Sequence, residues 1–378
     1  MKKPIYLDYA STTPMCTPAL KALFHCLGPK AAFGNPHSQH FYGLEAAAII
    51  EESAALLASL IHAKPTEIVW TSGATEANNL AIAGAARFYA SRGKHLITNA
   101  AEHKAVLDVF WHLEKEGFDI TVLPVNKQGL LEPETLEKAL RPDTTLVSVM
   151  MVNNELGTMQ AIAELGRLIK KNGSLFHVDG AQALGKVPID FEALQIDLLS
   201  LSAHKVYGPK GAGALVIRSK PRVHLIPLIY GGGQQHHLRA GTEAPGLIAA
   251  FAEAAKFACH SLLLSIQKTA KLRDQFWNTL KTEPGVHANT DLSVSVPHIL
   301  NLRFDGVDSE LLLTRIAAQL AISQTAACVS ADTEPSHVLK AIGLTRLQAD
   351  SSFRFSFGRM TTHEEIEAAI SVLHDSIQ

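Results

Sequence analysis

The chain has 378 residues, 34 Lys and Arg against 36 Asp and Glu, a formal net charge of −2 and an apolar share of 47%. At roughly 150 residues per domain this length predicts about two packed units. That much apolar material excludes a disordered chain and a collagen-like or low-complexity fibre. The near balance of charge gives no global pull toward nucleic acid or an anionic membrane surface, so no direct partner of either kind is expected.

Met1-Lys2-Lys3 carries the charge of a signal-peptide start, but Pro4, Asp8 and Ser11-Thr12-Thr13 interrupt any apolar run behind it, so the start reads as mature protein. The most apolar stretches, such as Leu146 to Val152, fall far short of the roughly 20 residues a spanning helix requires. Cys16, Cys26, Cys259 and Cys328 form no CxxC pair, which signals neither a structural zinc site nor a disulfide framework and fits a reducing compartment. A cytoplasmic protein without a bound metal is expected.

In chain order, a helical pattern over Ala46 to His62 leads to a strand at Ile68-Val69-Trp70, and a second helix over Glu76 to Ala90 follows. Strands are expected at His95 to Thr98, Ile120 to Leu123, Leu146 to Met151, Leu175 to Val178 and Leu198 to Ser202, with a helix over Leu165 to Asn172. This alternation predicts an α/β fold with a doubly wound, mostly parallel sheet, which binds ligands at the carboxyl ends of its strands. From about Pro245 the pattern becomes one long Ala- and Leu-rich helix ending near Lys281, read as a bridge to a second, smaller α+β unit that includes a strand at Ile299 to Leu302. The expected division is a large unit over 14–256 and a small one from 1–13 with 257–378.

Three loops carry chemistry. Thr71-Ser72-Gly73-Ala74-Thr75-Glu76 follows a strand and opens a helix, so its small residues and free N–H groups favour a phosphate, although a capped turn alone would read the same way. No GxxxxGK[ST] and no GxGxxG at a strand end is present, which excludes those nucleotide fingerprints. His177-Val178-Asp179-Gly180-Ala181-Gln182 delivers an acid from a strand end. Ser202-Ala203-His204-Lys205 delivers a lysine whose amine, stripped of solvent, becomes a better nucleophile and a candidate Schiff-base residue.

A phosphate cradle, a carboxylate and a reactive lysine are what pyridoxal phosphate needs for its phosphate, ring nitrogen and aldehyde. With these loops, Tyr6-Leu7-Asp8, Ala10 and Thr12-Thr13-Pro14, then Asn78-Asn79, Glu102-His103, Val152-Asn153-Asn154-Glu155 and Arg354-Phe355-Ser356, the chain resembles the cysteine desulfurases of the class V aminotransferase group over essentially its whole length. The resemblance implies a fold-type-I pyridoxal-phosphate enzyme with a seven-stranded large domain. By the same resemblance, Lys205 would tether the cofactor and shuttle the substrate α-proton. Asp179 would pair with the ring nitrogen, Gln182 with the ring hydroxyl, and His103 would stack on the ring and act as acid or base. Ala74, Thr75, Ser202 and His204 would hold the phosphate, with Thr242 reaching in from the other subunit of a homodimer. Asn154 and Arg354 would bind the substrate carboxylate, Arg354 through a two-pronged contact a lysine cannot reproduce.

Cys328 selects the reaction. The other three cysteines lie in apolar or helical surroundings and read as buried fillers, whereas Cys328 sits in the small, polar stretch Ser323 to Ser330. A reference thiol pKa of ~8.5 leaves only a few per cent thiolate at neutral pH, so a local deprotonation is required. The expected reaction converts L-cysteine to L-alanine and leaves a persulfide on Cys328. Long-loop desulfurases read Ser-Ser-Gly-Ser-Ala-Cys there; Gln324, Thr325 and Ala326 replace the middle of that run, and losing its glycine should stiffen the loop. Housekeeping members carry a scaffold-docking tail beyond the final helix, and this sequence stops at Gln378. The sulfur acceptor is left open among an iron-sulfur scaffold, a tRNA-thiolating enzyme, a DNA phosphorothioation complex and a nitrogenase-type pathway. A selenocysteine lyase or a small-substrate aminotransferase of the same fold would need the same cofactor residues, but an aminotransferase has no use for Cys328; a cofactor-free scaffold that kept the fold is the reading from another class.

Overall fold

The computed structural model describes residues 3–324 and 335–377. In the first half of the chain the elements are β1 (Ile5–Tyr6), α1 (Thr17–His25), α2 (Phe41–Leu60), β2 (Ile68–Thr71), α3 (Ala74–Phe88), β3 (His95–Asn99), α4 (Lys104–Lys115), β4 (Asp119–Leu123), α5 (Pro133–Ala139), β5 (Thr144–Met150), α6 (Ile162–Asn172) and β6 (Leu175–Asp179). They are followed by β7 (Leu198–Ser202), β8 (Gly213–Ile217), α7 (Pro245–His260), α8 (Leu262–Leu280), β9 (Val286–Ala288), β10 (Ile299–Phe304), α9 (Ser309–Ile316), β11 (Leu320–Ala321), β12 (Ser323–Gln324), α10 (His337–Ala341), α11 (Arg346–Asp350), β13 (Ser352–Ser356) and α12 (His363–Ile377).

Seven strands form the main sheet in the order β2-β8-β7-β6-β5-β3-β4. Only β8 runs against its neighbours; the other six point the same way. Every residue of β3, β5, β7 and β8 is buried, because helices cover both faces and no side of the strand meets water. Alternate residues serve the two faces: Val147, Val178 and Leu199 pack with Leu165 of α6 and Phe251 of α7, while Leu146 and Leu198 pack with Leu80 of α3 and Phe110 of α4. The α/β reading of the sequence and its doubly wound parallel sheet are both present.

The remaining elements form a four-stranded antiparallel sheet, β12-β13-β10-β9. Its core joins Phe276 of α8, Phe304, Phe353, Phe355 and Leu373 of α12 to Leu7 from the chain start. β1 pairs in parallel with β11, and Asp8 bridges to Ser356. Residues 5–8 therefore lie against strands formed more than 300 residues later.

The single long helix expected from Pro245 to Lys281 is two helices, α7 and α8, meeting at Ser261 with a 69° bend. The guanidinium of Arg359 supplies the physical reason: it donates to the carbonyls of Phe257 and Ala258 and to Ser261 Oγ, satisfying the end of α7 in place of a continuing helix. Among the described residues no single helix is long and apolar enough to cross a membrane.

Candidate active site

Asp179 is the last residue of β6 and is buried. Its Oδ2 accepts from Asn78 Nδ2 at 2.7 Å and its Oδ1 from the Ala181 amide at 2.9 Å, so the carboxylate is held from two sides. One strand over, β7 ends at Ser202 and the chain makes a 3₁₀ turn, Ala203–Lys205, that swings Lys205 back over the sheet edge. Lys205 Nζ donates to the carbonyl of Ala10 at 2.6 Å. Burial, with the Arg354 charge adding to it against Asp179 and Asp8, brings its pKa down to about 8.

The loop from β2 to α3 supplies the next wall. Among the described residues no side chain caps α3, which leaves the N–H groups of its first turn open to an acceptor. Glu76 is held by Arg239 Nε and by the Ser72 amide, both at 2.8 Å. Facing that helix start, His204 shares a 3.2 Å contact between Nδ1 and Thr12 Oγ1; burial, then Lys205, Lys210 and Lys186, press its pKa down to about 4. The surroundings thus repel positive charge and suit an anion.

From β3 the chain delivers Glu102 and His103. His103 is the N-cap of α4, and its Nδ1 accepts from the Ala105 amide at 3.0 Å, which places the proton of the neutral ring on Nε2. Burial holds its pKa below the ordinary value, opposed by Asp179 and reinforced by Lys205 and His337. Glu102 turns inward: its Oε1 accepts from Asn99 Nδ2 at 2.5 Å and from the Met150 amide at 2.6 Å, and burial pushes its pKa well up. Beyond β5, Asn153 Oδ1 accepts from the amides of Glu155 and Leu156, at 2.9 and 2.8 Å, tying the turn that presents Asn154.

Ala74, Thr75, Asn78, His103, Asn154, Asp179, Gln182, Ser202, His204 and Lys205 all line one cavity of about 450 Å³. Two sequence-expected residues stand apart. Thr242 is exposed and does not line this cavity of its own chain. Arg354 sits in β13 behind Asn154, donating to its carbonyl at 2.8 Å, and its other arm meets Ser11 Oγ, Asp8 Oδ1 and Ser323 Oγ at 2.7 to 3.1 Å. Cys328 lies outside the described residues. Cys16 and Cys26 are buried at the two ends of α1 and Cys259 is in α7; burial raises all three thiol pKa values and none lines the cavity.

Sequence reasoning gave no role to Asn78, although it stands in the Asn78-Asn79 motif, nor to the carbonyl of Ala10, which accepts from both Lys205 and Gln182. The polar run around Ser11-Thr12-Thr13 was the one available signal for that segment.

The aminotransferase class-V family model matches residues 5–369. The chain is 47% identical over 378 residues to a cysteine desulfurase IscS of Ectopseudomonas mendocina (strain ymp), covering 100% of this chain and 93% of that protein. It is 47% identical over 380 residues to the protein of the same name in Acinetobacter baumannii (strain AYE), with 100% and 94% covered. Among solved structures, a NifS-like protein superposes with a TM-score of 0.92 at 33% identity, covering 98% of each chain. DndA from Streptomyces lividans gives 0.79 at 40% identity, covering 93% of this chain and 99% of the other. The chain belongs to the class V aminotransferases, fold-type-I enzymes that depend on pyridoxal phosphate. Within them it stands with the cysteine desulfurases.

The residues present fit that cofactor. A primary amine and a carboxylate face the same space, an uncapped helix start and a group of cations suit a phosphate, and Asn78 Oδ1 and Asn154 Oδ1, from residues on the cavity wall, are buried acceptors without a partner among the described residues.

Proposed function

We propose that this cavity converts free L-cysteine to L-alanine and passes the sulfur to the thiol of Cys328. The observation that carries the reading is the convergence of Lys205 and Asp179 on one cavity with the open start of α3 at its end. Bound pyridoxal phosphate supplies an electron sink for negative charge developing at the substrate Cα.

The chain's own groups do the rest. Lys205, with a pKa near 8, would tether the aldehyde through its amine and carry the Cα proton. Asp179, oriented by Asn78 and the Ala181 amide, would hold a proton at the ring nitrogen. Gln182 would donate to the ring oxygen. His103 would lie against the ring, and its Nε2 is the nitrogen free to exchange a proton, since Nδ1 is committed to Ala105. The N–H groups at Ala74 and Thr75, with the Thr75 and Ser202 hydroxyls and His204, would hold the phosphate, completed in a homodimer by the partner subunit's Thr242. Asn154 and Arg354 receive the substrate carboxylate once Arg354 exchanges its hold on Ser11 and Ser323.

In the sulfur step the Cys328 thiolate attacks the substrate sulfur. An S–S bond forms, the Cβ–S bond breaks with its electron pair going to carbon, and protonation there releases alanine. Each turnover consumes one thiol and gives one persulfide, with no outside oxidant. Ser323 and Gln324 pair with Arg354 and Phe353, so the chain toward Cys328 departs from beside the carboxylate site. A sulfur-acceptor protein takes the persulfide onward, in the cytoplasm.

The test is Cys328→Ala. It should keep the near-visible absorbance of lysine-bound cofactor while alanine and persulfide production from L-cysteine fall to background; undiminished sulfur transfer would refute the assignment.

A further inference from the structure

Lys186 stands four residues after Gln182, on a turn that begins as β6 ends; the amides of Ala183 and Leu184 both donate to the Gly180 carbonyl. This brings Lys186 Nζ to 2.7 Å from Gln182 Oε1. On its other side Gln182 Nε2 donates to the Ala10 carbonyl at 2.7 Å. A side-chain amide has two faces that look alike in shape and differ in hydrogen-bonding sense. Here the chemistry leaves one arrangement, because a backbone carbonyl can only accept: Nε2 must face Ala10, Oε1 must face Lys186, and Lys186 must donate whether its amine is charged or neutral.

Placing an amine there is costly. Burial, with Lys205 and Arg354 adding to it, holds the Lys186 pKa well below the ordinary lysine value. Gln182 lines the cavity of about 450 Å³ and Lys186 does not, so the amine stands behind the amide rather than on the cavity wall. What its position secures is the second hydrogen of Gln182 Nε2, which the Ala10 bond leaves over. Remove the amine and Oε1 loses the one partner it has among the described residues; the Ala10 carbonyl still selects Nε2, but the amide, held at a single point, is free to swing its second N–H away from an electron-rich ring oxygen.

We propose that Lys186 is a positioning residue that, as the second anchor of the Gln182 amide, holds its remaining N–H toward the cofactor. This rests on the reading that Gln182 meets the ring oxygen. It is tested with Lys186→Met, which fills the same space without a donor, alone and combined with Gln182→Ala. The readouts are the dissociation constant for pyridoxal phosphate from reconstituted apoenzyme and the pH midpoint of the near-visible band.

K186M should weaken cofactor retention about 5- to 30-fold, the range expected for one lost hydrogen bond near a charged centre, and should move the midpoint. In the Q182A background the same substitution should change neither. A K186M enzyme indistinguishable from wild type, or one whose effect is the same size in both backgrounds, overturns the role of Lys186 while leaving Gln182 in place. Q182A alone without effect overturns the Gln182 reading and the proposal together. A crystal structure of the wild-type holoenzyme decides the matter without any variant: Lys186 Nζ within hydrogen-bond reach of Gln182 Oε1 supports it, and Lys186 turned away overturns it.

Discussion

Asn78 Nδ2 donates to Asp179 Oδ2 at 2.7 Å, joining the second turn of α3 to the end of β6 beneath the cavity. The bond fixes the carboxylate against α3; under the proposed function the same helix would offer its N-terminus to the phosphate, so one helix would set two ends of the cofactor. Asn78→Ala removes a hydrogen bond to a charged group, worth about 1.5–3 kcal/mol. Cofactor retention should fall roughly 10- to 100-fold, read by equilibrium dialysis of the near-visible chromophore, and a wild-type dissociation constant would remove Asn78 from the site.

Lys205 must lose its proton before it can attack an aldehyde. With its pKa brought to about 8 by burial and by Arg354, uptake of pyridoxal phosphate by apoenzyme should speed up about tenfold per pH unit below that value and level off above it. Stopped-flow absorbance over pH 6 to 10 measures this. A rate still climbing steeply near pH 10 would contradict a depressed amine, and Lys205→Ala should bind cofactor only reversibly.

Glu155 carries an opposite signature in stability. Burial raises its pKa to about 7, against the pull of Ser336, Arg354 and Lys104, and its Oε2 accepts from Ser336 Oγ at 2.5 Å. The folded protein therefore keeps a proton there that the unfolded chain releases above its ordinary value of 4.5. Its contribution is full below that point and is lost as pH rises toward 7. Glu155→Gln should match wild type near pH 4.5 and exceed it by on the order of 2 kcal/mol at pH 8, after partial solvent screening is allowed for. Denaturant unfolding of the two proteins in parallel isolates this difference from His177 and His204, whose lowered pKa values act in the reverse sense; a gap that does not change with pH would exclude it.

Arg359 holds the corner between α7 and α8. Besides its three hydrogen bonds, its guanidinium lies 5.0 Å from the Phe257 ring centroid. Arg359→Ala should cost about 2–4 kcal/mol, seen as a lowered melting temperature, and Arg359→Lys should recover only part because a single ammonium cannot reach all three acceptors. Full stability in the alanine variant would mean that the bend is set elsewhere.

The chain's own pattern determined the alternating strands and helices, the strand-end placement of Asp179 and Lys205, and the small-residue loop before α3, because each is written locally in hydrophobic periodicity and in the residue that follows it. Gly180 marks a limit of that reading: nothing in the local pattern asks for glycine there, yet a Cβ would lie 2.8 Å from Leu199 Cδ1 and 3.2 Å from the Ser200 carbonyl oxygen. Only the tertiary structure decided that Ala10 would serve as shared acceptor for Gln182 and Lys205, that Asp8 and Ser11 would engage Arg354, and that Arg359 would break the long helix. Each joins residues roughly 100 to 350 positions apart, as their separations state. Hydrogen-bond partners at such range depend on how the two cores pack against each other, and no local propensity encodes that packing.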